Sequence, residues 1–349
     1  MFKLVLGTIF GRPYPWDYGV RIRAVMINAY EILQKNILNK VENGDIRRLL
    51  RLNDEVELWI DSGGYQFLKH NVNISVEKIA KIYNKIDADY YVSLDHPPAP
   101  KDDPYNRRLK IEKTITNYNK LYKLLNPDKR IKLLPVYHLS DRILLQKQWE
   151  SYWDTRYVAV GGLIPYIMQL GGKNSRLKAL VFLSTLRKYT NQKIHALGIA
   201  SPVIIPILQR IGIDSADTMT WRHKAAYGKV IIPGMGERHI TGRKISFGPR
   251  YIKNDDWKKL ARYLGEFNLI LSENNGKNAR VTIPDLTKSF EMRALFNAWS
   301  IMYISLKRHN DDFTVSSSFK KLYILAGEYT GKYDLEKLLE LNDQILKNV

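Results

Sequence analysis

Cysteine is absent from all 349 residues. That excludes disulfides, thiolate-held zinc, iron–sulfur clusters and thiol nucleophiles. Long apolar runs are absent as well. None approaches the roughly 18 residues that a membrane-crossing helix needs. The opening segment MFKLVLGTIFGR has a short apolar stretch with no small-residue cleavage site after it, so it reads as a first strand and not as a secretory leader. The expectation is a soluble, cytoplasmic protein with no membrane partner. Acidic residues are in deficit, 35 against 55 Lys and Arg, which leaves a formal net charge of +20. Such an excess suits a polyanionic partner, nucleic acid first, although a heavily solvated charged surface gives the same balance.

What is present is an alternation of short apolar runs with helical patterns. Strands are expected at 3–7, 22–27, 56–60, 90–94, 132–137, 157–160, 194–198 and 213–219. Between them, SVEKIAKIYNKI (75–86) offers Ser75 as an N-cap and an apolar stripe at i, i+3, i+4 spacing. SPVIIPILQRI (201–211) predicts a helix capped by Ser201 with Pro202 at its first position. Eight strands alternating with helices predict an α/β fold, a (β/α)8 TIM barrel; a doubly wound open sheet has the same local pattern. Placement of the unusual residues favours the barrel. Asp61, Asp95, the GGL of 161–163, the GIAS of 198–201 and Asp217 all fall at or near C-terminal strand ends, which converge only in a barrel. After residue 240 the pattern turns helical, with helices expected in 254–267, 290–306 and 327–348 and a loop at 315–318. The expected organisation is a barrel over 1–240 and a packed helical extension over 241–349, with no linker between them.

Three carboxylates stand out: Asp61 before Ser-Gly-Gly, Asp95 before HPPAP, and Asp217 in GIDSADTMTWR. Alone, each reads more often as a turn former or helix cap than as a catalyst. Together at one end of different strands they make a site. Gly63-Gly64 and Gly161-Gly162 let the backbone take positive φ and approach a ligand closely, although ordinary tight turns use glycine in the same way. Neither pair belongs to a dinucleotide or phosphate-loop fingerprint.

The segment DSGGYQ (61–66) resembles the signature of the tRNA-guanine transglycosylase superfamily. MINAYEIL (26–33), VSLDHPPAP (92–100), VGGL (160–163), HALGIASP (195–202) and GIDSADTMTWR (212–222) resemble its further motifs in order. The resemblance covers roughly residues 4–228. It implies Asp217 as the nucleophile that attacks the sugar C1′ and leaves a covalent glycosyl ester, and Asp61 as the acid/base that handles the proton of the departing and incoming base. It implies that Asp95 bonds the base edge, that Gly162 and Leu163 contact the base through their backbone, that Ser62 adds a polar contact, and that Tyr65 stacks on the ring. The residue chemistry agrees. Substitution at a glycosidic carbon passes through an oxocarbenium-like state served by two carboxylates, one attacking and one moving a proton. Asp214 competes with Asp217 for the first role; three residues apart on an extended strand, only one can face the mouth.

The chain departs from this family in three places. The resemblance implies a structural zinc on three Cys and one His, and this chain has no Cys; Phe296–Asn297 stands about where the His would fall, and His223 and His239 are isolated. No metal and no cofactor are therefore expected, and Trp257, Phe267, Phe290, Phe296 and Trp299 are expected to hold the extension by packing. Tyr137 and His138 stand where relatives carry a base-reading Gln. Nothing after the barrel resembles the archaeal RNA-binding domain. These departures point to the branch that places 7-deazaguanine bases, such as 7-cyano-7-deazaguanine, into DNA, with tRNA as the alternative polymer. RRLLR (47–51), RHKAAYGK (222–229) and ERHITGRK (237–244) suit phosphate contacts on either polymer, or plain solvated surface. Two other classes compete: a non-catalytic nucleic-acid-binding subunit, against which the three carboxylates argue, and a nucleoside hydrolase, which would use water in place of a free base. A homodimer is left open.

Overall fold

Pro135 decides how the sheet closes. The computed structural model describes residues 2–40, 45–64, 66, 70, 72, 74–170, 172, 174–242, 250–276, 279–307 and 317–347. Its main sheet has strands β1 (Lys3–Gly7), β2 (Ala24–Asn28), β3 (Glu57–Asp61), β4 (Tyr90–Val92), β5 (Leu133–Leu134), β6 (Val136–His138), β7 (Tyr157–Gly161), β8 (Lys193–Ala196) and β9 (Ser215–Thr218). They run parallel in the order β5-β4-β3-β2-β1-β9-β8-β7-β6. The fifth expected strand is thus two pieces. Proline has no N–H to give a ladder, so pairing breaks at Pro135. Leu133–Leu134 pairs with β4, and Val136–His138 pairs with β7. The Pro135 carbonyl still accepts from the Ala159 N–H at 2.8 Å. Both ends of the sheet meet at this proline, and the result is a nearly closed α/β barrel.

Period-2 alternation sorts the strand side chains. Val5, Met26, Trp59, Val92, Val136 and Ala159 form a small cluster inside the barrel, while Leu6, Ile27, Leu58, Ile60 and Val160 belong to the larger core under the helices. The helix Val76–Lys85 begins as expected, with Ser75 Oγ accepting from the Lys78 N–H at 3.3 Å. The helix expected at 201–211 starts later, at Ile205–Ile211, with Pro206 in its first turn; residues 201–204 form turns whose Ser201 carbonyl accepts from Ile204 and Ile205.

Beyond the barrel, β10 (Lys229–Ile232) and β11 (Gly236–His239) form an antiparallel hairpin that the sequence reading missed. The helices Asn254–Asn275 and Phe290–Leu306 follow. The terminal helical segment is two helices, Ser317–Gly331 and Leu335–Lys347, so Ser317 and Ser318 begin a helix where a loop was expected. These elements pack on the barrel helices Ser175–Tyr189, Ile205–Ile211 and Thr220–Ala226. Phe267, Phe296 and Trp299 are buried, with ring centroids 5.7–5.8 Å apart. Trp257 and Phe290 are partly buried against the same core. Asn297 is fully buried: its Oδ1 accepts from Ile231 N–H at 2.7 Å, and its Nδ2 donates to the Lys229 and Trp221 carbonyls. A zinc site does not fit here, because the amide is committed to backbone groups and no thiolates exist to join it. Among the described residues, no group of three His, Asp or Glu gathers around a metal-sized space. No described helix is long and apolar enough to cross a membrane.

Candidate active site

The alternation that fills the barrel also delivers its mouth. On β3, Glu57, Trp59 and Asp61 share the inward face, so Asp61 is the last inward residue of its strand. Its Oδ2 accepts from the Gly63 N–H at 3.0 Å, and the chain then turns on with Gly63 at positive φ, +76°. Burial, then the nearby charge of Asp217, push the Asp61 carboxyl up to about 7.

Asp95 follows β4 and is buried. The loop that carries it is tied to the helix Pro104–Leu124: Asn117 Nδ2 donates to the Leu94 carbonyl, and Thr114 Oγ1 accepts from His96 N–H. Burial, then the charge of Asp61, push Asp95 up to about 7 as well. The glycine pairs divide their labour around it. Gly63 and Gly162 take positive φ, +76° and +73°. Gly64 and Gly161 make room: a Cβ on Gly64 would lie 2.7 Å from Asp95 Oδ1, and one on Gly161 2.9 Å from Asp95 Oδ2. Leu163 is fully buried beside this pair. Ser62 is fully buried, and its Oγ has no hydrogen-bond partner among the described residues. Tyr65 lies outside the described residues.

Two residues at the strand expected to read the base go separate ways. Tyr137 faces outward, packing edge-on against Tyr152 at 5.2 Å. His138 faces the mouth, fully buried, with Nε2 3.4 Å from Asp95 Oδ2. Burial holds its imidazole down at about 4, so it is neutral at physiological pH. Neither ring nitrogen makes a hydrogen bond among the described residues.

Asp217 is buried at the C-terminal end of β9. Its Oδ1 accepts from the Gly198 N–H at 2.6 Å and lies 3.3 Å from His195 Nε2. Asp214 sits at the opposite end of that strand. There its carboxylate meets Arg187 Nη1 at 3.0 Å and accepts from the Ile194 N–H at 2.9 Å. The competition between the two is settled as to place: Asp217 is at the mouth, Asp214 at the base. Sequence reasoning left Gly198, His195, Gly64 and Gly161 without individual roles. The motif letters were visible, but the contacts depend on cross-strand register.

The basic clusters are largely engaged within the fold. Arg47 is paired with Asp89, and Arg51 with Asp17, both toward the base of the barrel. Lys224 and Lys229 bond Glu237, and Arg238 bonds Asp256. Arg222 donates to the Gly11 and Arg12 carbonyls.

Residues 17–266, more than half of the chain, match the family model described as queuine tRNA-ribosyltransferase. The chain belongs to that family. Among similar proteins, "Uncharacterized protein 306" of Sulfolobus islandicus rod-shaped virus 1 is 29% identical over 217 residues, covering 61% of this chain and 63% of that protein. The tRNA-guanine(15) transglycosylase of Nanoarchaeum equitans is 26% identical over 225 residues, covering 60% of this chain and 50% of that enzyme. The match thus spans less than two thirds of either relative. Family membership agrees with the barrel and with the resemblance carried by DSGGYQ and the motifs that follow it.

Proposed function

We propose that this protein is a guanine transglycosylase that exchanges a base within a nucleic acid through a covalent aspartyl-glycosyl intermediate. The observation that carries the proposal is the pairing of unlike carboxyls at one mouth. Asp217 has one oxygen fastened by Gly198 and the other without a partner among the described residues. Asp61 is held at about 7, where a carboxyl can both give and take a proton at neutral pH. In the first half-reaction, Asp217 Oδ2 attacks C1′, the C1′–N9 bond breaks, and its electron pair leaves with guanine, which takes the proton of Asp61. In the second, the incoming base returns a proton to Asp61, its nitrogen attacks C1′, and Asp217 leaves as a carboxylate. Asp95, Ser62 and the backbone of Gly162 and Leu163 bond the flat base, with Tyr65 as its stacking partner. The target nucleotide must be turned out of its stack to reach them.

The polymer we favour is DNA and the incoming base a 7-deazaguanine such as 7-cyano-7-deazaguanine. Support comes from the departures at the zinc-ligand positions, where Asn297 has a different task. The second reading, tRNA, is favoured by the likeness to the Nanoarchaeum equitans enzyme. Labelled guanine incubated with the protein and either DNA or total tRNA decides between them by which polymer takes up label. Asp217→Asn is expected to form no denaturation-stable enzyme–polymer complex; Asp61→Asn is expected to accumulate some complex without efficient turnover. Normal exchange by both variants would overturn the transglycosylase reading.

A further inference from the structure

Beneath Asp217 runs a buried polar chain that the exchange mechanism does not use. In the β8–β9 register His195 lies opposite Ser215, and Asp217 is the diagonal neighbour two residues on. His195 Nε2 is 3.3 Å from Asp217 Oδ1, His195 Nδ1 is 2.7 Å from Ser215 Oγ, and Ser215 Oγ is 2.5 Å from the Tyr157 hydroxyl. His195 and Ser215 are fully buried, and Tyr157 nearly so. Trp59 lies against the imidazole at 4.7 Å, and Tyr157 meets Trp59 edge-on at 5.4 Å.

Proton accounting gives this chain a direction. The Tyr157 hydroxyl has one proton and one partner among the described residues, Ser215 Oγ. Burial pushes that phenol up, so it keeps its proton and donates it. Ser215 then accepts from Tyr157, and its own single proton has one remaining acceptor, His195 Nδ1. With Nδ1 accepting, the ring proton sits on Nε2 and faces Asp217 Oδ1. The opposite direction would leave the buried Tyr157 proton without an acceptor, a loss of about 1–3 kcal/mol.

We infer that Tyr157, Ser215 and His195 form a relay that fixes the imidazole as its Nε2–H tautomer and so positions Asp217, with His195 as a positioning residue for the attacking carboxylate. The Gly198 N–H and the His195 Nε2–H together hold Oδ1 and turn Oδ2 toward the mouth. The relay does not move a proton during the reaction. It removes the rotational freedom that a strand-end aspartate otherwise has, and an attack angle is sensitive to such freedom. This inference rests on the proposed role of Asp217 as nucleophile.

Two measurements test it. In the unaltered protein with 15N-labelled histidine, the imidazole nitrogen shifts of His195 should show Nε2 protonated and Nδ1 bare, and in Tyr157→Phe that preference should weaken. A resting Nδ1–H tautomer overturns the relay. In single-turnover formation of the denaturation-stable enzyme–polymer adduct, His195→Leu should be slower by about tenfold, the loss of one buried hydrogen bond. KM for the free base should be unchanged. His195→Gln puts an amide N–H near the place of Nε2–H and should recover most of the rate; being polar and of similar reach, it also guards against a fold defect, which thermal melting checks. If His195→Leu, folded, forms adduct at the unaltered rate while Asp217→Asn forms none, the relay fails and the nucleophile stands. If Asp217→Asn also forms adduct normally, it is the nucleophile reading that fails.

Discussion

The two ends of this barrel treat buried polar groups in opposite ways. At the base several charged side chains near strand starts are paired. Lys3 Nζ meets Glu57 Oε1 at 2.5 Å, and Glu57 Oε2 accepts from Trp59 Nε1. Asp89 takes Arg47 and the Leu58 N–H, and Asp214 takes Arg187 and the Ile194 N–H. At the mouth, Ser62 Oγ and both nitrogens of His138 have no hydrogen-bond partner among the described residues, although His138 Nε2 stands 3.4 Å from Asp95, and two carboxyls are held far above their ordinary range. An unmet buried polar group costs about 1–3 kcal/mol, so several in one place destabilise the fold unless a ligand completes them. The base end spends its polar residues on stability. The mouth reserves them, in agreement with the proposed purine site.

The contrast is broken most severely by filling the space beside Asp95. Gly64→Ala and Gly161→Ala each place a methyl within 2.9 Å of that carboxyl. At Gly64 the methyl also meets the Asp95 carbonyl oxygen at 2.8 Å, so the backbone that carries Asp95 must shift along with its carboxyl, and we expect exchange activity to fall by about a hundredfold, as when a reacting group is misplaced by about 1 Å. The overpacked mouth should also lose about 1–3 kcal/mol of stability. Steady-state exchange assays and urea melts measure the two effects. Unchanged kinetics in both variants would show that Asp95 does not meet the base.

The base end should behave the other way. Asp214→Ala removes a partly exposed ion pair and leaves the Ile194 N–H unmet. The expected cost is about 2–3 kcal/mol of stability, most of it from the N–H. Activity per folded molecule should stay within about twofold, because Asp214 lies a full strand length from the mouth. A variant that is stable but inactive would put Asp214 in the chemistry and remove Asp217 from it.

The same division explains what could be read from sequence. All eight expected strands are present, because each is an apolar run ended by a turn former. The placement of Asp61, Asp95 and Asp217 at one end followed from strand polarity alone. What escaped was tertiary. The break at Pro135 was visible as a residue but not as the seam of the barrel. The hairpin at 229–239 carries its own signal in Pro233-Gly234, inside the span expected to belong to the barrel. The helix expected at 201–211 begins at Ile205 although Ser201-Pro202 satisfies the capping rule better than Ile204, which makes no side-chain cap bond; only the fold shows which turn continues. The roles of Gly64 and Gly161 as space for Asp95, and of His195 beneath Asp217, depend on which residues register brings opposite one another. No single-strand pattern encodes that.

The smallest effect separates the two ends by pH. Asp95 titrates near 7 in the folded protein and near 3.8 in an unfolded chain, so the folded state binds more protons between those values. Stability from this group is therefore highest at low pH and declines as pH rises through about 4 to 7. Asp95→Asn has no such titration. Relative to the unaltered protein it should gain about 1–2 kcal/mol at pH 8, less than the full shift implies because the buried amide keeps its own desolvation cost. The gain should shrink toward zero near pH 4, and exchange activity should be lost at every pH. Asp214→Ala should show no gain at any pH, since its carboxylate is paired. Thermal melts of the three proteins from pH 4 to 8 measure this. A destabilised Asp95→Asn at pH 8 would mean that the Asp95 charge is satisfied within the free protein. The mouth would then be no different from the base, and the case for a ligand completing it would lose its physical footing.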